Sequence, residues 1–213
     1  MSHFVGLCFG NYWEFNLEEY DESLEVEEYV VYTKEEAIKE VETDQLQMYK
    51  HAIKKLQEDS LSKEDFDHYT KVVSNGPSIS HQEAWEIAQD WGYTIDKDDN
   101  LVSTYNPRAK WDWYCIGGRW SGFLVIKERD ENGDIIKVDS ALNHEIDWKY
   151  MFDNNLIPFC YVTEEGEWQE RGSMGWWCSV SNEKELDSWT KQFKDYLKII
   201  DSDCLVTVVD FHI

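Results

Sequence analysis

The stretches that most constrain how this chain folds are its two ends, HFVGLCF (His3–Phe9) and CLVTVVDFHI (Cys204–Ile213). Successive residues of a strand point to opposite faces. His3, Val5 and Leu7 would therefore face one way and Phe4, Gly6 and Cys8 the other, and both sets are largely apolar. A strand that is apolar on both faces needs cover on both, so each end is expected inside a sheet rather than at its edge. Asp210 and His212 are two apart and share a face. If the two terminal strands pair antiparallel, His3 joins them at the same end of the sheet.

Between these ends the periodicity changes. Tyr29–Tyr32 reads as a short strand, and Asn11–Glu28, acidic and aromatic without a clean period, as a loop or surface arm. Thr33, with Glu36 three residues on, has the capping-box pattern and predicts a helix to about Glu58 through Ala37, Ile38, Val41, Leu46, Tyr49, Ile53 and Leu56. Ser62 with Asp65 opens a second helix. Ser80 opens a third, with Ala84, Ile87, Ala88 and Trp91 on one face and Gly92 at its end. Thr33–Gly92 is thus expected as a helical insertion within one domain spanning the 213 residues. Further on, Asp130–Asp134 (DENGD) is a hairpin turn between Ser121–Lys127 and Ile135–Val138. His144–Asp153 reads as a short helix, and Leu156–Thr163 with Glu167–Arg171 as another hairpin. Ser181 is the expected cap of a last helix whose buried stripe is Leu186, Trp189, Phe193, Tyr196 and Leu197.

The middle of the chain, Thr104–Phe123 (TYNPRAKWDWYCIGGRWSGF), has a different character. Asn106-Pro107 opens a turn. Trp111, Trp113 and Cys115 alternate with Asp112 and Tyr114, which predicts a strand with two indoles on one face. Gly117-Gly118 breaks it, and the run into Phe123–Ile126 suggests a strand, glycine turn, strand hairpin. Leu101–Thr104 is expected to lead into it. Two readings remain open. The tryptophans are core and Arg119 pairs with a carboxylate such as Asp112, or the segment is a flat-ligand site. In the second case the indoles stack on bases, and Arg119 with Lys110 or Arg108 holds phosphate. The glycine-aromatic stretch Gly172–Cys178 poses the same choice, with Trp176-Trp177 either a core plug or a second stacking surface.

Composition narrows the function. The net charge is −24, from 44 acidic and 20 basic residues, and such a surface repels nucleic acid and anionic membrane. With no basic stripe, direct nucleic-acid binding is not expected. The same charge would let the chain imitate nucleic acid towards a basic partner. The five cysteines are scattered, without CxxC or Cys/His metal spacing, and read as reduced, mostly buried thiols. MSHFVGLCFG is too short and lacks the basic flank of a signal peptide, and no stretch reaches the length of a membrane span. Neither a cofactor nor a resident metal is called for. Walker loop, GxGxxG, GxSxG and HExxH are all missing. The constellation left for chemistry is His3, Asp210 and His212, a cluster with the residue types for acid–base work or metal ligation.

MSHF with its apolar strand, NPRAKWDWYCIGGRWSGF, RGSMGWWC and CLVTVVDFHI together resemble a family of phage-encoded proteins that open with MSHF, carry NPxxKWDWYxIGGRWxG and an MGWW segment, and close on a TVVDxHI-like strand. The likeness covers the chain outside its helical insertion. It implies a setting, the cytoplasm of a bacterial host, and an accessory role against host defence. The motif residues it marks here are His3, Asn106, Pro107, Lys110, Trp111, Asp112, Trp113, Gly117, Gly118, Arg119, Trp120, Gly175, Trp176, Trp177, Asp210 and His212. The family often has glycine after the paired tryptophans and cysteine before the final histidine. Cys178 and Phe211 stand there instead, which argues against a catalytic cysteine at the C-terminus.

These observations together predict an α+β domain. A mainly antiparallel sheet holds both terminal strands, with a packed C-terminal helix and a helical insertion. The leading expectation is a protein that sequesters a nucleotide-derived messenger of bacterial immunity. Its ligand-binding residues would be Asn106, Lys110, Trp111, Asp112, Trp113, Arg119, Trp120, Trp176 and Trp177. One alternative is a phosphodiesterase-type enzyme using His3, Asp210 and His212. The other is an acidic nucleic-acid mimic that blocks a basic host defence protein through its helices. A homo-oligomer is compatible with each.

Overall fold

The computed structural model describes residues 2–58, 61–175 and 179–213. In chain order the elements are β1 (His3–Phe9), α1 (Trp13–Leu17), β2 (Tyr29–Tyr32), α2 (Lys34–Lys55), α3 (Lys63–Asn75), α4 (His81–Gln89), β3 (Thr94–Ile95) and β4 (Leu101–Ser103). There follow β5 (Trp113–Ile116), β6 (Leu124–Arg129), β7 (Ile135–Val138), β8 (Ser140–Leu142) and α5 (Trp148–Asp153). Last come β9 (Cys160–Val162), β10 (Trp168–Glu170), β11 (Ser173–Met174), β12 (Val180–Ser181), α6 (Leu186–Leu197) and β13 (Leu205–His212). The fold is α+β, and its sheets are mostly antiparallel. They are grouped in two compact units, Met1–Glu25 with Tyr105–Ile213, and Val26–Thr104.

The first unit is built on the sheet β10-β9-β1-β13-β5, with β8 beside the early part of β13. Both chain ends lie in its middle, as two-sided apolarity requires. β1 and β13 pair antiparallel from His3↔His212 to Phe9↔Val206. One face carries Val5, Leu7, Phe9, Val206 and Val208 into a core closed by Trp189 and Phe193 of α6 and by Tyr161. The other face carries Phe4, Cys8, Val209 and Phe211 against Trp13, Leu17, Tyr20 and Trp111. Gly6 sits where the two strands and β9 crowd together. A Cβ there would lie 2.4 Å from the Phe211 ring and 2.7 Å from the Cys160 sulfur.

Several local expectations are corrected. Asn11–Glu28 is not simply a loop. Trp13 and Leu17, four apart, bury together, and α1 forms to place them. The last helix begins at Leu186 with Glu185 as its cap, because Ser181 is drawn into a pair with Ser173. Leu186 is then exposed rather than part of the buried stripe. The central hairpin does not form. β5 pairs with β13, whereas β6 pairs with β7 across the Asp130 turn. Gly117 and Gly118 both adopt positive φ, and the short 3-10 turn Gly118–Trp120 carries the chain off the sheet.

The second unit has its own sheet, β2-β4-β3, and its own core of Ala37, Val41, Ala84, Trp85, Ala88 and Leu101. It is therefore wider than the expected helical block, and β4, expected to lead into the central stretch, is the middle strand of this sheet. The capping boxes at Thr33–Glu36 and Ser80–Glu83 form, and the Ser62 hydroxyl accepts the Asp65 N–H. Leu46 and Ile53 of α2 and Ile87 of α4 are exposed. Trp85 fills the space instead and turns the inner face of α4 to Ala84, Trp85 and Ala88. Among the described residues no helix is long and apolar enough to cross a membrane.

Cys8, Cys115, Cys160 and Cys204 are free thiols. Burial pushes the Cys8 and Cys160 thiols far above the ordinary thiol range, and pushes Cys204 up to about 12. Native protein treated with iodoacetamide near pH 8 is expected to leave Cys8 and Cys160 unmodified and to modify Cys204 slowly. All three should label fully in denaturant. Mass-spectrometric peptide mapping reads this, and fast native labelling of Cys8 or Cys160 would contradict the packing of β1 on β9.

Candidate functional site

Strand register assembles the cluster. His3 lies across from His212, and His212 across from Trp113, so the three side chains share one face at one end of the sheet. Asp210 is two residues back on that face, opposite Val5 and Cys115. The His3 and His212 rings meet edge to face with centroids 4.8 Å apart. The Trp113 indole stacks on His212 at 5.1 Å and 19°, and also meets the edge of His3 at 5.4 Å.

Each imidazole is held by its own carboxylate. Nδ1 of His3 is 3.0 Å from Oδ1 of Asp210, and Nδ1 of His212 is 2.5 Å from Oδ1 of Asp112. The second oxygen of Asp210 accepts the backbone N–H of Arg119 at 2.9 Å. This contact needs Gly118. A Cβ at that position would lie 2.5 Å from Asp210 Oδ2 and 2.7 Å from the Cys115 sulfur, and its φ of +53° is one that side-chain-bearing residues rarely adopt. Asp112 is tied a second time to its partner, since its N–H donates to the His212 carbonyl at 3.0 Å. Asp210 is 1% exposed and His212 5%. Among the described residues, no hydrogen-bond partner meets Nε2 of His212, which is buried. Buried polar atoms are nearly always satisfied, so an exception calls for a functional reason.

A carboxylate on Nδ1 selects the tautomer that carries its proton there and leaves the lone pair on Nε2. Two imidazoles oriented in this way, side by side, can take and give protons at one bound group. Among the described residues no three His, Cys, Asp or Glu side chains are arranged to hold a metal ion.

The other expected ligand residues divide sharply. Asn106, 2% exposed, donates to the carbonyls of Glu19 and Asp21 and accepts the N–H of Arg108. Trp111 is buried, and its indole N–H donates to the Leu17 carbonyl. Lys110 pairs with Glu170 at 2.8 Å, and Arg108 pairs with Glu19. These groups fasten the central stretch to α1, to the turn that follows it and to β10. The two indoles Trp111 and Trp113 do not share a face. Trp111 lies before β5 and meets Tyr114 edge to face, whereas Trp113 turns to the histidines. The anticipated Arg119–Asp112 ion pair is replaced by the Asp112–His212 contact. Trp113 and Trp120 are 44% and 36% exposed, and Arg119 is also exposed. Trp176 and Trp177 lie outside the described residues. Sequence reasoning did not find Asp112 as the partner of His212. The signal for it is the register that places Trp113 opposite His212, which brings the preceding residue to the end of β13.

No protein-family model, curated protein or solved structure matches the chain.

Proposed function

We propose that the His3, Asp210, His212 and Asp112 cluster is an acid–base site that cleaves a phosphate ester of a nucleotide-derived signal. The observation that carries this reading is the pair of adjacent imidazoles, each fixed by its own carboxylate, with Nε2 of one buried and without a partner among the described residues. The O–H of a substrate hydroxyl, or of the attacking water, would donate to that nitrogen. Trp113, stacked on His212 and partly exposed, is the cover that moves to admit it and then offers its face to a base. In the reaction one imidazole accepts the proton of the attacking hydroxyl or water as its oxygen bonds to phosphorus. The other, as imidazolium, returns a proton to the leaving oxygen as the old P–O bond breaks. In the phage setting suggested by the sequence motifs, the substrate class is the messenger nucleotides of bacterial immunity.

A second reading, capture without cleavage, is favoured by the exposed Trp113 on the histidines and by the exposed Trp120 next to Arg119 in the turn after Gly117. One experiment separates the two. The protein is incubated with cyclic dinucleotides, cyclic oligonucleotides and ADP-ribose derivatives, then denatured, and the nucleotides are resolved by chromatography. The expected result is a new product, with turnover reduced about 10²–10⁴-fold in His212→Ala and in His3→Ala proteins that keep wild-type circular dichroism. A ligand depleted from solution and released intact supports capture instead. No product and no depletion across the panel, or full turnover in either variant, overturns the acid–base assignment.

A further inference from the structure

We infer that the groove beside α1 is a docking surface for a basic protein segment that carries an apolar anchor residue. The inference is independent of the histidine site. α1 turns Trp13 and Leu17 into the core but leaves two large aromatics on its outer side. Tyr12 is 80% exposed and Phe15 71%. Phe15 and Leu24 line a cavity of about 430 Å³ that is completed by Asn16, Glu18 and the turn at Glu165-Gly166. The groove is built rather than incidental. The Asn16 amide donates to the Glu164 carbonyl at 3.1 Å, and the Tyr20 hydroxyl donates to the Gly166 carbonyl at 2.8 Å. These bonds fix α1 against the β9–β10 turn. A Cβ at Gly166 would press on the Asn16 side chain at 3.3 Å, so the turn approaches as closely as it does because it is glycine.

Charge selects the occupant. Glu18, Glu19 and Glu165 line the groove, Glu14, Glu25 and Glu164 are exposed next in sequence to lining residues, and Arg108 is already paired with Glu19. Such a rim repels nucleic acid and anionic lipid. It also repels a second copy of a chain whose net charge is −24. A lysine- or arginine-rich segment has the complementary charge, and an apolar side chain on it can enter the cavity between Phe15 and Leu24. Exposed aromatics on a rigid support supply contact area with little side-chain freedom to lose.

The test uses two fluorescein-labelled peptides of equal charge, one alternating lysine with leucine and one alternating lysine with serine. Binding is read by fluorescence anisotropy at about 150 mM salt, where long-range attraction is screened. The leucine peptide is expected to bind at least about tenfold more tightly than the serine peptide. Phe15→Ser and the double variant Glu18→Lys/Glu165→Lys should each weaken it about tenfold. The three residues are exposed, and circular dichroism checks that the variants fold. A matched charge reversal on α3, Glu64→Lys/Asp67→Lys, should change binding less than about twofold. Equal binding of the two peptides, an α3 reversal as damaging as the groove reversal, or no measurable binding overturns the inference.

Discussion

Trp189→Ala is expected to destabilise the first unit by about 3–5 kcal/mol, the range for truncating a large buried aromatic. The Trp189 indole is fully buried, lies over Tyr161 with centroids 5.4 Å apart, and donates its N–H to the Pro158 carbonyl at 2.8 Å. Alanine leaves a cavity between α6 and the sheet and removes the donor from a carbonyl in the interior. Leu186→Ala, on the same helix but exposed, should change stability by no more than about 0.5 kcal/mol. Urea denaturation followed by circular dichroism measures both. A loss of less than about 1 kcal/mol for Trp189→Ala would mean that α6 does not close this core.

Asp210 carries the second large effect, and two substitutions divide it into its parts. Asp210→Ala removes the acceptor for the Arg119 N–H and the partner of His3 together, at a position 1% exposed. Leaving such groups unpaired is expected to cost about 3–5 kcal/mol. Asp210→Asn has nearly the same shape, and its amide oxygen can still accept the Arg119 N–H, so the turn at Gly118 should hold and the protein should fold. Its amide nitrogen is a donor, however, and would face His3 Nδ1. That nitrogen must then act as acceptor, which moves the ring proton to Nε2. The imidazole presents the wrong atom for taking a proton. Turnover in the nucleotide assay is therefore expected to fall about 10²–10⁴-fold while thermal stability drops by far less than in Asp210→Ala. A folded Asp210→Asn protein with undiminished turnover would make Asp210 a structural residue and remove His3 from the chemistry.

The contrast between these residues shows where local signals suffice. The caps at Thr33, Ser62 and Ser80 act on N–H groups only three residues away, so each helix start could be read directly. The turn at Asp130 is equally local, with its carboxylate accepting the N–H groups of Asn132 and Asp134. The α6 stripe was legible at Trp189 and Phe193, because four-residue spacing fixes one helical face. It failed at Leu186, because that residue's burial depends on where the helix starts, and the start was decided by the pairing of Ser181 with Ser173.

The candidate site divides in the same way. Two-sided apolarity at both ends placed β1 and β13 inside one sheet, and the two-residue spacing of Asp210 and His212 put them on one face. With antiparallel pairing, that was enough to bring His3 to the same end. Composition and spacing determined these points because burial on both faces and the strand period are properties of the segment itself. What the tertiary structure alone decided is which neighbour each group meets. β5 is added to β13 and not to β6, Trp111 and Trp113 part company, and Asp112 becomes the partner of His212 while Asn106 bonds the turn after α1 and Lys110 bonds β10. Each of those contacts joins residues 60 to 100 positions apart. Nothing in a window of ten or twenty residues encodes such a choice, because it follows from how strands register and how a glycine turn leaves the sheet.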